Sequence, residues 1–265
     1  MMKRIAIFSD VHANLTALKA VLDDIDKRKM DKIICLGDLI YKGVSPSEVI
    51  DLVKEKCDIV LQGNCDEYIG NKEALEKKYW TRLKIGEERA EYLRNLPICC
   101  EFYLSGHLIR LFHASPVSLV ALYNPMYSNK NSKNANREIE DPEDMFKNTY
   151  LLGKNSNDLI PDIVGYGHIH TPHIVRYKNK TIFNTGSVGM PTEMLNSQKM
   201  DETTKFSRLA SYVILEGEYE SKDFAPISIN IVRVPYSIEE EIERIEKSDN
   251  PRKEEIIRKL KTVEP

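Results

Sequence analysis

The chain has 265 residues and a formal net charge of −3 at pH 7, and 42% of its residues are hydrophobic. This length allows a large buried core, and the slight negative charge argues against binding that depends on nucleic-acid phosphates. No segment approaches the roughly 20 apolar residues of a membrane span, and the apolar start of the chain is too short for a signal peptide. The five cysteines lack the spacing of a zinc site, so we expect reduced thiols and a cytoplasmic protein.

The first sixty residues alternate between strand and helix patterns. Apolar runs at residues 4–9, 32–36 and 58–61 predict three strands. Apolar residues at helical spacing predict a helix over residues 15–25, and Ser45-Pro46-Ser47-Glu48 predicts a capping box that opens a second helix. This order predicts right-handed βαβ units and a parallel sheet, whose functional loops gather at the carboxyl ends of the strands.

The middle and the end of the chain predict a second sheet. Residues 67–96 have a charged, helical pattern, and Ser105-Gly106 forms a predicted turn between strands at 98–104 and 108–113. Later strand patterns share short apolar runs and lie at residues 163–165, 174–177, 181–184, 211–215 and 227–234. We expect the last three to form a mostly antiparallel sheet.

Two segments lie outside this pattern. A polar excursion at about residues 118–156 includes a helix predicted from Asp141 through Leu152. Helices at about residues 237–262, opened by a capping box at Ser237, predict packing elements or the edge of a homo-oligomer. Because the sequence has no internal repeat and no evident linker, we expect residues 1–265 to form one domain.

The most informative pattern is a set of polar residues that each follow a predicted strand. Gly167-His168-Ile169-His170 comes late in the chain and complements Asp10-Val11-His12 near its start. The full set is Asp10, His12, Asp38, Asn64, His113, His168 and His170. Two carboxylates, one amide and four imidazoles suit a pair of divalent cations such as Mn, Fe, Zn, Ni or Co. Each fragment alone is weak evidence, but their ordered conjunction predicts a dinuclear metal hydrolase.

The motifs that carry this set also resemble a known family. Asp10-x-His12, Gly37-Asp38, Gly63-Asn64-x-Asp66, His113 and Gly167-His168-x-His170 look like the calcineurin-like metallophosphoesterase superfamily. The resemblance spans most of the first 190 residues. Residues 9–14, 113–116 and 184–189 are similar to its compact bacterial and archaeal branch, which includes small phosphodiesterases and diadenosine tetraphosphate hydrolase-like proteins.

The resemblance implies an α/β fold, a four-layer αββα sandwich of two mixed β-sheets flanked by helices, with metals at one rim. It implies one metal held by Asp10, His12, Asp38 and His170, and a second held by Asp38, Asn64, His113 and His168, with Asp38 bridging both. The residues around the second metal, Asp38, Asn64, His113 and His168, are then the catalytic candidates. His107 and His173 fall outside the pattern and are expected to be ordinary surface or loop residues.

Two cations roughly 3.5 to 4 Å apart would neutralise phosphate oxygens and lower the pKa of a bridging water, so we expect attack by a metal-bridging hydroxide. The expected substrate is a small phosphodiester or phosphoanhydride, such as a dinucleoside polyphosphate, with manganese as the expected metal. Two alternatives from other classes are a non-catalytic interaction module on the same fold and a nuclease acting on nucleic acid. The intact ligand set argues against the first, and the charge balance argues against the second.

Several residues near the motifs allow more than one interpretation. Cys65 stands where many phosphatases of the superfamily have histidine, and a thiol is a poor general acid. Cys65 is either a small, neutral wall residue or has a direct role, in catalysis or as a soft metal ligand. Asp66 either orients its neighbours through hydrogen bonds or is an exposed loop residue. Residues that could widen substrate binding, or simply be solvated or packing side chains, are Lys130, Lys133, Arg137, Met190, Met194 and Met200.

Overall fold

The computed structural model describes residues 1–125, 138–139, 141–147, 159–192 and 207–261. The strands are β1 (Met2–Phe8), β2 (Lys32–Cys35), β3 (Ile59–Val60), β4 (Cys99–Leu104), β5 (His107–Phe112), β6 (Leu122–Tyr123), β7 (Glu138–Ile139), β8 (Ile163–Tyr166), β9 (His173–Tyr177), β10 (Lys180–Asn184), β11 (Leu209–Glu218) and β12 (Ser228–Pro235). The α-helices are α1 (Leu15–Lys27), α2 (Pro46–Lys56), α3 (Asn64–Gly70), α4 (Lys72–Glu76), α5 (Trp80–Arg94), α6 (Ile238–Glu246) and α7 (Lys253–Lys261).

The strands form two mixed five-stranded sheets and a two-stranded pair of β6 and β7. The first sheet has the order β12-β11-β1-β2-β3, with β1, β2 and β3 parallel as the sequence predicts. The second has the order β4-β5-β8-β10-β9, in which β5, β8 and β10 are parallel and the two edge strands antiparallel. The prediction of two mixed sheets with flanking helices is confirmed.

The assignment of β11 and β12 to the second sheet is wrong. β11 runs antiparallel to β1, from the pair Met2 and Glu218 to the pair Ile7 and Val213, and β12 pairs with β11. β1 is paired on its other edge with β2, so β11 supplies its second partner. Burial patterns indicate which faces of a strand are covered, but they do not identify the strand that pairs with it.

Side chains on alternate faces of β1 enter two different cores. Ile5 and Ile7 lie between the two sheets, whereas Ala6 and Phe8 pack with residues of the helices that cover the first sheet. The outer face of the second sheet has a third core, where Tyr166 packs with residues of the excursion. These layers bring the carboxyl ends of β1, β2, β3, β5 and β8 to one rim.

Several local predictions need correction. The helical pattern predicted over residues 67–96 is divided among α3, α4 and α5, and Asn71 separates the first two by capping α4, where it accepts from the Ala74 N–H. The side chain of Ser45 makes no capping hydrogen bond, although Pro46 opens α2 as expected. Where a helix is predicted from Asp141 through Leu152, the structure has a 3-10 helix at Pro142–Phe146, and residues 148–152 lie outside the described part of the chain.

The C-terminal helices lie where the sequence places them. Ser237 accepts a hydrogen bond from the Glu240 N–H at the start of α6, as its capping motif predicts. Ile245 of α6 and Ile257 of α7 pack with Val44, which follows the loop after β2. These helices therefore pack close to the rim. None of the helices described is both long and apolar enough to cross a membrane.

Candidate metal centre

The seven predicted side chains converge at the rim where the two sheets meet. Six of them form two clusters whose ligand atoms lie within 4.8 Å of one another: Asp10, His12 and His170 in one, and Asp38, His113 and His168 in the other. Asn64, the first residue of α3, joins the second cluster because its Oδ1 lies 3.0 Å from the Nε2 of His113. The structure therefore brings all seven predicted side chains together, and the parallel strand order explains why they assemble.

Unusual backbone conformations mark this rim. Five of the seven side chains are carried by residues with positive φ: Asp10 (55°), His12 (50°), Asp38 (54°), His168 (66°) and His170 (63°). Non-glycine residues rarely adopt this region, and when they cluster they mark sites where the surrounding structure enforces strain. The backbone at this rim is also closely packed, since a Cβ at Gly63 would lie 2.3 Å from the Oδ1 of Asp38.

Hydrogen bonds fix the orientation of three imidazoles. The Nδ1–H groups of His12, His113 and His170 donate to the carbonyl oxygens of Ile40 (3.3 Å), Leu36 (2.9 Å) and Met190 (3.0 Å). Each Nε2 is thereby turned into the centre, which is the arrangement that metal-ligating histidines adopt. Met190 thus contributes its backbone carbonyl, whereas Met194, Met200, Lys130, Lys133 and Arg137 lie outside the described residues.

The first cluster has one buried polar atom that no hydrogen bond satisfies. The Oδ1 of Asp10 is buried without a hydrogen-bond partner and lies 3.2 Å from the Nε2 of His170. Burial raises the pKa of Asp10, but the His170 imidazole and its neighbours lower it more, so the net pKa lies well below its ordinary value. A buried carboxylate oxygen beside imidazole nitrogens is a donor set that suits a divalent cation. The residues present fit a metal.

The second cluster is organised around Asp38. Its Oδ1 lies 3.5 Å from the Nε2 of His113, and its Oδ2 lies 3.7 Å from the Nε2 of His12 in the first cluster. Burial lowers the pKa of His113, but the charges of Asp38 and Asp10 and the hydrogen bond to Leu36 together outweigh this and raise it above its usual value. Burial lowers the pKa of His168 to about 4. Asp38 thus faces both clusters with one oxygen each.

Cys65 and Asp66 hold Asp38 in this position. The Cys65 thiol donates to the Oδ2 of Asp38 (3.1 Å), and its backbone N–H donates to Oδ1 (2.8 Å). Burial, followed by the nearby Asp38 carboxylate, raises the pKa of Cys65 well above its usual value, so the thiol is neutral. Cys65 therefore lies in the wall of the centre and hydrogen-bonds to its central carboxylate, and its Sγ also lies within 4.8 Å of ligand atoms of His12 and Asp38.

Asp66 is a buried hydrogen-bond acceptor rather than an exposed loop residue. Its carboxylate accepts from the backbone N–H groups of Asp38 (2.8 Å), Leu39 (3.0 Å) and Gly63 (3.0 Å). Burial and the charge of Asp38 raise the pKa of Asp66 to about 7. Asp66 therefore ties the loop after β2 to the loop after β3.

The segment after β10 supports the loop of Asp10. Ser187 donates to the Asp10 carbonyl oxygen (2.7 Å), and Asn184 donates to the carbonyl oxygen of Gly167 (2.6 Å). A Cβ at Gly167 would lie 2.2 Å from the Ser9 Oγ, so only glycine permits this approach. The sequence flagged residues 184–189 as similar to the family but gave them no role.

The histidines outside the pattern do not join the centre. His173 begins β9, and its ring contacts the Tyr166 hydroxyl and the Thr171 carbonyl oxygen rather than a candidate ligand. His107 begins β5 and packs edge-on against Phe224. Both are half-buried strand residues, not the surface or loop residues expected. One neighbour that the sequence analysis missed is Lys42, whose Nζ lies 3.2 Å from the Nε2 of His12.

The comparison with known families agrees with this geometry. A model of the calcineurin-like phosphoesterase superfamily domain matches residues 2–205. The chain belongs to this superfamily. It is accordingly a metal-dependent phosphoesterase, and the resemblance seen in its motifs is confirmed.

Relatives of the same length extend the comparison over the whole chain. An uncharacterised protein of Methanocaldococcus jannaschii is 30% identical over 272 residues, covering 93% of each chain. The solved structure of a metallophosphoesterase from Sphaerobacter thermophilus covers 100% of both chains at 23% identity, with a TM-score of 0.64. That of a hypothetical protein from Pyrococcus horikoshii covers 97% of both at 18% identity, with a TM-score of 0.66. These two structures share the fold of this phosphoesterase.

Proposed function

We propose that the centre binds two divalent metal ions and hydrolyses phosphodiester or phosphoanhydride bonds of a small, nucleotide-like substrate. The observation that carries the proposal is the position of Asp38, which directs one oxygen towards His12 and the other towards His113. A carboxylate in this position can bridge two cations. We assign one metal to Asp10, His12, Asp38 and His170, and the other to Asp38, Asn64, His113 and His168.

The donor set leaves the loaded centre positively charged. Its two carboxylates balance only half of the charge of two divalent cations, and Asn64 contributes a neutral oxygen. When bound, the two metals supply charge neutralisation for the phosphoryl oxygens and activation of a water as the nucleophile. Three of the four candidate histidine ligands, His12, His113 and His170, donate to backbone carbonyl groups, so the protein orients them before substrate arrives.

The environment of Cys65 supports substrates whose leaving groups need little protonation. Its thiol has a raised pKa and donates to Asp38, so it is not available as a general acid. Nucleotide phosphates released from anhydrides and activated aryl alcohols released from diesters depart without such help. Simple alkyl monoesters do not, and we expect them to be poor substrates.

Manganese and a cytoplasmic location are part of this proposal. Imidazole, carboxylate and amide donors together suit a borderline cation such as Mn. The five cysteines are free thiols, as in a protein of a reducing compartment.

A substrate panel tests the proposal. Bis-p-nitrophenyl phosphate, p-nitrophenyl phosphate, dinucleoside polyphosphates and cyclic nucleotides would each be assayed with Mn, Ni, Co and Zn. We expect metal-dependent turnover of diesters or anhydrides that exceeds turnover of alkyl monoesters. Tight, salt-dependent binding of single-stranded DNA, with no turnover of the small substrates, would instead indicate a nuclease and overturn the proposal.

A further inference from the structure

A lysine ammonium lies inside the candidate metal centre without an anionic partner. Lys42 follows β2 by a short loop, is half-buried, and its Nζ approaches the Nε2 of His12 at 3.2 Å. The same Nε2 lies 3.7 Å from a carboxylate oxygen of Asp10 and 3.7 Å from one of Asp38, so the ammonium is close to both candidate ligands. Over the described residues, this contact with His12 is the only hydrogen bond of the ammonium, and no carboxylate lies within ion-pair distance.

The backbone around Lys42 is fixed against the loop after β1. The N–H groups of His12 and Ala13 donate to the carbonyl oxygens of Asp38 and Leu39, at 2.9 and 2.8 Å. Directly after Lys42, Gly43 packs so closely that a Cβ there would lie 2.5 Å from the His12 carbonyl oxygen. The chain on both sides of Lys42 is therefore anchored, and only the flexible stem of the lysine is free to redirect its ammonium.

The contact with His12 cannot persist in the working enzyme. The same Nε2 lone pair is assigned to a metal, and one lone pair cannot serve an ammonium and a cation together. On metal binding the Lys42 ammonium must therefore turn to another acceptor. The acidic side chains nearby, Asp10 and Asp38, belong to the metal site, so an oxygen of a bound phosphate is the remaining anion.

We propose that Lys42 binds a phosphoryl oxygen of the substrate and contributes to affinity for phosphate esters and anhydrides. This inference rests on the proposed function, because it assumes a phosphate bound at a metal-loaded centre. An ammonium is suited to the role, since its three donors can follow a phosphate as negative charge develops on it.

The alternative is that Lys42 only balances the carboxylates of the centre when no metal is present. The two roles predict different effects of replacing Lys42 with a neutral residue. Loss of a phosphate ligand weakens phosphate binding and leaves the metals in place. Loss of a balancing charge changes metal affinity and leaves phosphate binding to the loaded protein unchanged.

The test compares Mn-loaded wild type with Lys42→Met, Lys42→Arg and Lys56→Met. Lys56 is a matched control because it is an exposed lysine at the opposite end of α2, about 16 Å along the helix. Bound metal per chain, affinity for inorganic phosphate by calorimetry, and kcat and KM for bis-p-nitrophenyl phosphate would be measured for each.

We expect Lys42→Met to keep its metals and to bind phosphate about 10- to 100-fold more weakly, the usual effect of losing a hydrogen bond to a charged group. Lys42→Arg should retain most of the affinity, and Lys56→Met should match wild type. Phosphate affinity of Lys42→Met within twofold of wild type, or loss of its metals, would overturn the inference. If wild type hydrolysed no phosphate ester, the proposed function would fail, while the phosphate titration would still decide the role of Lys42.

Discussion

The Nε2 atoms of His12 and His170 lie 3.0 Å apart, while the Nδ1–H of each ring donates to a backbone carbonyl oxygen. Burial, followed by the charge of Lys42, lowers the pKa of His12 well below its usual value, so this ring is neutral. Because each Nδ1–H is used by a backbone carbonyl, the two Nε2 atoms both face the small space beside Asp10. The unpartnered Oδ1 of Asp10 adds a third donor. Such an arrangement is stabilised by a cation between the donors.

The first prediction concerns metal and stability. Adding Mn to chelator-treated protein should raise the melting temperature by several degrees, because a ligand at 100 times its Kd adds about 2.7 kcal/mol of stability. The increase in melting temperature should become smaller as pH falls. The charge of Asp38 favours the protonated form of His113, and a metal that binds His113 must displace this proton. Thermal denaturation with and without Mn measures it, with His107→Ala as a control that behaves like wild type. An unchanged melting temperature for wild type would contradict the metal assignment.

The candidate ligands could be found from the sequence because each follows a strand. Parallel strands bring their carboxyl ends together, so the βαβ order predicts that Asp10, Asp38 and Asn64 lie close to one another. His113 and His168 obey the same rule in the second sheet, at the ends of β5 and β8. The position of each polar residue after a strand, together with the rule that parallel strands end at one rim, was enough to predict that these side chains lie together.

Other features depend on contacts distant in sequence. β11 joins β1 across more than 200 residues, and the alternation of its side chains does not identify that partner. Asp66 was ambiguous because a loop aspartate can be exposed, and only the folded chain brings the Asp38 and Leu39 N–H groups to it. Lys42 gave no signal, since an isolated lysine after Tyr41 resembles any solvated loop residue.

The second prediction concerns pH and a buried acid away from the metals. Glu241 of α6 is buried against the Thr16 N–H in the first turn of α1, and burial raises its pKa to about 7. Because the folded pKa exceeds the unfolded value, the contribution of this group to stability is fully present below about pH 4 and is lost as pH rises towards 7.

Glu241→Gln should remove this dependence, because glutamine has a similar shape and no charge. Relative to wild type, the free energy of unfolding of the variant should increase between about pH 5 and 8, by about 2 to 3 kcal/mol. Urea denaturation over this range measures the difference. Glu239→Gln, an exposed neighbour on α6, is the control and should show no trend. A constant difference between Glu241→Gln and wild type would contradict the raised pKa.

The third prediction concerns Cys65 and leaving groups. Cys65→His should preferentially accelerate substrates with poor leaving groups, because general acid catalysis contributes about 10²- to 10⁴-fold. Cys65→Ser keeps a donor to Asp38 but supplies no useful acid, so its profile should resemble wild type. The values of kcat/KM over a series of aryl and alkyl phosphates measure the dependence on leaving-group pKa. A wild-type profile that is already flat would contradict the role given to residue 65.

The most direct test of the account is the metal content of Asp38→Ala. Because Asp38 faces both clusters, the variant should lose both metals. Turnover of bis-p-nitrophenyl phosphate should fall by more than about 100-fold, since a loss of up to that size is typical when only a hydrogen-bonding partner of a metal ligand is removed. His113→Ala should mainly weaken one site, and His107→Ala should retain two metals per chain. Metal analysis of the purified proteins gives the answer. Two tightly bound metals and near-normal turnover in Asp38→Ala would contradict the shared site.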